Sequence, residues 1–114
     1  MGSNGLYYGF LRSQCGEFTT FEAPGAGTGN NQGTAAYSIN FFGATTGQVT
    51  DASGINRGFS RSLWGQNVIF DAPGAGAGSS QGTRPSTNNA AGEVTGWYID
   101  KDNGSHGFLW TPWQ

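Results

Sequence analysis

The stretch Ala23-Pro24-Gly25-Ala26-Gly27 returns 49 residues later as Ala72-Pro73-Gly74-Ala75-Gly76. Working outward from it, the whole chain matches itself at the same offset. Gly9-Phe10 returns as Gly58-Phe59 and again as Gly107-Phe108, Arg12-Ser13 as Arg61-Ser62, and Gln32-Gly33-Thr34 as Gln81-Gly82-Thr83. Asn40, Gly43, Thr46, Gly47 and Asp51 return as Asn89, Gly92, Thr95, Gly96 and Asp100. About 20 of 49 aligned positions are identical without a gap, which marks a repeat protein. Residues 1–8 align with the tail of a repeat, 9–57 and 58–106 form two full repeats, and 107–114 are the head of a third. The chain starts and stops in mid-repeat, so the expectation is a piece of a longer array.

Each repeat reads as four short strands. Phe18–Phe21 and its copy Val68–Phe70 are β-branched and aromatic. Ala36–Ile39, then Ala44–Thr50 with Glu93–Ile99, then Asn56–Arg61 with His106–Trp110 supply the others. Gly-containing turns such as Phe42-Gly43, Ser53-Gly54 and Asn103-Gly104 suit antiparallel hairpins. No apolar pattern of helical period runs for ten residues or more. The long connection Pro24–Thr34, repeated as Pro73–Thr83, suits a crossing between strands that are not hairpin partners. Four strands in 49 residues is the size of a β-propeller blade. The expected fold is all-β and β-propeller-like, with two four-stranded blades per chain. Blades cover one another, so two alone form an open wedge, and the ring is expected to close by homo-oligomerisation. Two chains give four blades, three give six and four give eight; a trimer is expected, with dimer and tetramer as the alternatives.

Composition agrees. The chain has 114 residues, of which 21 are Gly and 4 Pro, and only 11% are charged. This is one domain, poor in the charge that surface helices need. Eight Phe, four Tyr and four Trp give it a strong drive to collapse. A net charge of −2 argues against a nucleic-acid groove and against a polybasic membrane surface, so neither partner is expected. No apolar run is long enough for a transmembrane helix. One cysteine leaves the redox compartment open.

The repeat resembles the HAF family extracellular repeat of bacteria. The resemblance rests on His106-Gly107-Phe108-Leu109, on Val68-Ile69-Phe70-Asp71-Ala72-Pro73-Gly74-Ala75, and on Gly92-Glu93-Val94-Thr95-Gly96-Trp97-Tyr98-Ile99-Asp100. The motif's His is Tyr8 in the first copy and Arg57 in the second, and its Gly-Ile-Asn element is Ser38-Ile39-Asn40 and then Thr87-Asn88-Asn89. The resemblance implies repeated β-structure and an extracellular or secreted location. No secretory signal is legible at Met1-Gly2-Ser3-Asn4. The family brings no catalytic residues with it.

The remaining motifs read mostly as structure. The loops Gly25–Gly29 and Gly74–Gly78 lack the lysine or helix of a phosphate loop. Asp100-Lys101-Asp102-Asn103-Gly104 reads as a capped turn rather than a calcium loop, so no metal site and no cofactor is expected. Cys15 and His106 fall near opposite ends of a blade, too far apart for a nucleophile–base pair. His106 reads as a structural hydrogen-bonding residue. Glu22 and Asp71 recur before Ala-Pro and are expected to accept loop N–H groups; Arg12 and Arg61 are expected to pair with acids or to be solvated. Phe10, Phe59 and Phe108, with Phe21 and Phe70, are expected in the core. Trp64, Trp97, Trp110 and Trp113 do not repeat. With Arg61 they are the expected ligand contacts, since tryptophan faces stack on sugar rings and polar groups bind the ring edge. The expected function is multivalent, lectin-like carbohydrate binding. The alternatives are a weak hydrolase at a subunit seam or central channel, and a structural repeat without its own ligand.

Overall fold

The computed structural model describes residues 7–12, 16–29, 31–78 and 80–112. These residues form no helix and nine strands: β1 (Gly9–Arg12), β2 (Phe18–Phe21), β3 (Gly33–Ile39), β4 (Thr45–Thr50), β5 (Asn56–Arg61), β6 (Asn67–Phe70), β7 (Gly82–Asn88), β8 (Val94–Ile99) and β9 (Ser105–Trp110). The all-β expectation holds. Strands joined by tight turns pair antiparallel, giving the hairpin β1–β2, the four-stranded meander β3–β6 and the three-stranded meander β7–β9. The long connections 22–32 and 71–81 separate these groups. Two parallel bridges one repeat apart link them: Tyr7 to Gly33 and Asn56 to Gly82.

The sheets are open. β1–β2 is a sheet of its own, and the larger sheet ends at β3 on one side and at β9 on the other. Nine strands therefore divide as two, four and three. The complete meander β3–β6 straddles the sequence boundary at 57/58. A repeat found by self-alignment has no preferred phase, whereas strand pairing has one, set by which connections are short enough to be hairpins. By repeat position β1, β5 and β9 are equivalent, as are β2 and β6, β3 and β7, and β4 and β8.

One packing device joins neighbouring groups twice. The Phe21 ring meets Phe59 edge-on at 5.9 Å, and 49 residues on Phe70 meets Phe108 at 6.2 Å. Across the hairpins, Gly9 faces Phe21 and Gly58 faces Phe70. A Cβ would stand 2.6 Å from the first ring and 2.5 Å from the second, so the glycines make room for the phenylalanines. Phe59 and Val49 are buried with Ala23, and Phe21, Ala36 and Ile69 pack around them. Phe10 occupies the position of Phe59 yet is 60% exposed, because no strand group among the described residues packs over it as β1–β2 packs over β5.

Buried threonines carry the polar interior. Thr34 and Thr83 accept the N–H of Ala23 and Ala72, both at 2.9 Å. These hydroxyls do the work expected of Glu22 and Asp71; a hydroxyl is neutral, so it enters the interior without the desolvation cost of a carboxylate. Gln32 and Gln81 hold the glycine loops through the N–H of Gly29 and Gly78 at 2.8 and 2.9 Å, which makes both loops structural.

Candidate functional site

A cleft of about 590 Å3 opens between the meander β3–β6 and β7. Tyr37 of β3, Gln48 of β4, Asn56 of β5 and Arg84 of β7 line it, with Tyr7 at its rim. Register explains the space. Gln48 lies opposite Ala35 across the β3–β4 pair, and the small alanine leaves room above it. Asn56 is only 4% exposed and is held firmly. Its Oδ1 accepts from Thr50 at 2.7 Å and from Gln48 at 3.4 Å, and its Nδ2 donates to the Gln81 carbonyl at 3.2 Å. Arg84 donates from Nη2 to the Ser80 carbonyl at 3.0 Å, while its Nε is buried with no partner among the described residues. Tyr37 is 55% exposed and offers a ring face. Among the described residues lining the cleft, Arg84 is the one formal charge, and there is no carboxylate, imidazole or thiol.

Those of the residues expected from sequence to bind ligand that the structure describes do not line one cleft together. Trp64 is 87% exposed on the turn between β5 and β6. Trp97 lies opposite Arg84 across the β7–β8 pair, which places it next to the cleft without lining it. Trp110 stacks on Phe70 at 4.3 Å with an interplanar angle of 7°. Arg61, at the equivalent position, lies 4.7 Å from the centre of the Phe21 ring, and Arg12 lies 6.0 Å from that of Phe18. These two arginines cover aromatic rings, and Trp110 and Arg61 thus serve the packing between strand groups. Trp113 and Cys15 lie outside the described residues. The sequence reading missed Tyr37, Gln48, Asn56 and Arg84. The signal available was departure from the repeat: Tyr37 aligns with Ser86, Gln48 with Trp97, Asn56 with Ser105 and Arg84 with Ala35.

A second cluster lies on the turn before β9. Asp100 Oδ1 accepts from the N–H of Asp102 at 2.9 Å and of Gly104 at 2.7 Å, and Oδ2 meets His106 Nε2 at 2.8 Å. The His106 ring stacks on Tyr98 at 5.0 Å. The hydrogen bond from His106, then that from Gly104, holds the Asp100 carboxyl below its ordinary value, against a smaller opposing effect of burial. The preceding repeat places Asp51 at the same position, accepting from Ser53 and Ile55 and facing Arg57 at 3.7 Å. Recurrence at the same turn identifies an anchored Asx turn, with His106 in a structural role.

No family model, curated protein or solved structure matches the chain.

Proposed function

We propose that this chain is a two-blade unit of a β-propeller-like ring built from identical copies, and that the ring binds carbohydrate at the cleft. The observation that carries the binding reading is the lining itself. An exposed tyrosine, the side-chain amides of Gln48 and Asn56 and the guanidinium-bearing Arg84 line one opening. Aromatic faces hold sugar rings, and amides and guanidinium hydrogen-bond their hydroxyls or a sugar carboxylate. A lining without acid, imidazole or thiol among the described residues favours binding over hydrolysis. Arg84 favours an acidic sugar.

The ring reading rests on the open sheets and the twice-used phenylalanine contact. A face that receives Phe21 or Phe70 inside the chain is left bare at Phe10. Three copies would carry three clefts, so weak single sites would gain avidity on a multivalent glycan. The HAF-like motifs support placing such a lectin outside a bacterial cell. The test is a glycan array read with wild type, Tyr37→Ala, Arg84→Ala and Trp64→Ala, alongside native mass. The expected result is an oligomer whose glycan signal falls with the first two substitutions and not with the third. Unchanged binding in Tyr37→Ala and Arg84→Ala would remove the cleft from consideration.

A further inference from the structure

The described residues hold one more strand than two four-stranded units need, and the surplus has an address. β1 and β9 occupy the same repeat position. β9 pairs with β8 and ends the meander β7–β9 at three strands. β1 pairs with β2, and its other edge pairs with no strand among the described residues. That free edge faces a groove of about 440 Å3 bounded by β3, with Tyr8, Phe10, Tyr37 and Ile39 on its walls. Ile39 is 52% exposed and Phe10 60%. The equivalent space one repeat later is filled, because β7 packs there against β3, β4 and β5. What fills it inside the chain is the first two strands of a meander, and the copies that can supply them between chains are β7 and β8.

Resting on the ring reading, the geometry points to strand exchange at the seam: a second copy's β1–β2 hairpin displaces β9 and pairs with β8. The register follows from the repeat. Val94, Thr95 and Gly96, now opposite Trp110, Leu109 and Phe108, come to face the incoming Arg12, Leu11 and Phe10. β2 arrives already paired with β1 and becomes the fourth strand, so the sheet β7–β8 gains the four-stranded form of β3–β6. Phe70 then packs on the incoming Phe10, and Arg12 takes over from Trp110 the place that Arg61 has above Phe21. The groove closes over Ile39. The exchange also removes one strand of nine from the sheets, leaving eight per chain, or two complete blades.

Inter-chain disulfide trapping tests the register. Two chains, both Cys15→Ser, carry Leu11→Cys in one and Thr95→Cys in the other, and are mixed under mild oxidation. A covalent heterodimer is expected, because neither chain alone holds both thiols. A parallel mixture carries Leu109→Cys and Thr19→Cys. A link there means that β9 stays in place and the partner's β2 adds outside it, which overturns the exchange and leaves the ring reading standing. Hydrogen exchange on the unmodified chain supplies a readout that needs no substitution. Upon assembly β9 amides should lose protection, and β1 amides should gain it. A wild type that oligomerises with β9 protection intact overturns the exchange alone; a wild type monomeric at every concentration overturns both readings.

Discussion

Arg61 and Trp110 occupy the same repeat position, and each covers the phenylalanine presented by the strand group before it. The guanidinium carbon of Arg61 lies 4.7 Å from the Phe21 centroid, and the Trp110 ring stacks 4.3 Å above Phe70. Two chemically different side chains thus solve one packing problem, because a cation and a second aromatic ring both find a favourable geometry over an aromatic face.

Phe70 joins the meander β3–β6 to β9 through both Phe108 and Trp110. Phe70→Ala should cost about 3–5 kcal/mol, as for other buried large aromatics. Arg61→Ala should cost about 0.5–1 kcal/mol for a partly solvated cation over a ring. Chemical denaturation of the two variants measures the difference; equal losses would contradict the packing assignment.

Arg84 should contribute charge-assisted binding. Arg84→Ala is expected to weaken an acidic oligosaccharide about tenfold or more, a loss of ~1.5–3 kcal/mol. Arg84→Lys should recover only part of it, since an ammonium lacks the planar fork. Calorimetric titration at two salt concentrations checks this. Affinity insensitive to both substitution and salt would count against an acidic ligand.

The Asp100 turn should respond to acid in a definite direction. Its carboxyl titrates below the ordinary value of 3.8 in the folded chain. The stabilisation is therefore present in full above that value and is lost as pH falls through the depressed folded value. The turn before β9 should loosen only in strong acid. His106→Ala should move the Asp100 midpoint upward toward the ordinary value, with the bonds from Gly104 and Asp102 keeping part of the depression. Side-chain carboxyl NMR titration reads the midpoint directly; a downward movement would refute the assignment.

Glycines at equivalent positions should tolerate alanine unequally. A Cβ on Gly58 would meet the Phe70 ring at 2.5 Å, whereas one on Gly107 meets nothing closer than the Gly96 carbonyl at 3.9 Å. Gly58→Ala should destabilise by about 1–3 kcal/mol, as overpacking does. Gly107→Ala should fall within about 0.5 kcal/mol of wild type. Thermal melts of the two variants at low concentration make the comparison.

The strands were legible because β-branched and aromatic residues lie between glycine turns at a constant period. Phe18–Phe21 and Asn56–Arg61 match the observed strands end to end. The grouping of strands was less legible, since self-alignment fixes a period and pairing fixes a phase. The cleft was largely hidden. Tyr37 and Arg84 meet there only because β7 crosses beside β3, a juxtaposition of residues 47 positions apart that no local pattern encodes. The tryptophans drew attention by their chemistry, yet Trp110 is spent on Phe70. Thr34 and Thr83 were read as part of a repeated motif without a role, because a buried hydroxyl leaves no distinctive mark in sequence.

Those threonines carry a wider consequence. The buried polar side chains of the described residues are Thr34, Thr45, Thr46, Asn56 and Thr83, and none of them ionises. Acidity and ionic strength consequently have no handle on the middle of the molecule and act only on its rims, where Asp51 and Asp100 brace their loops. Such a body should keep its shape across a wide range of surroundings while its periphery retunes to each.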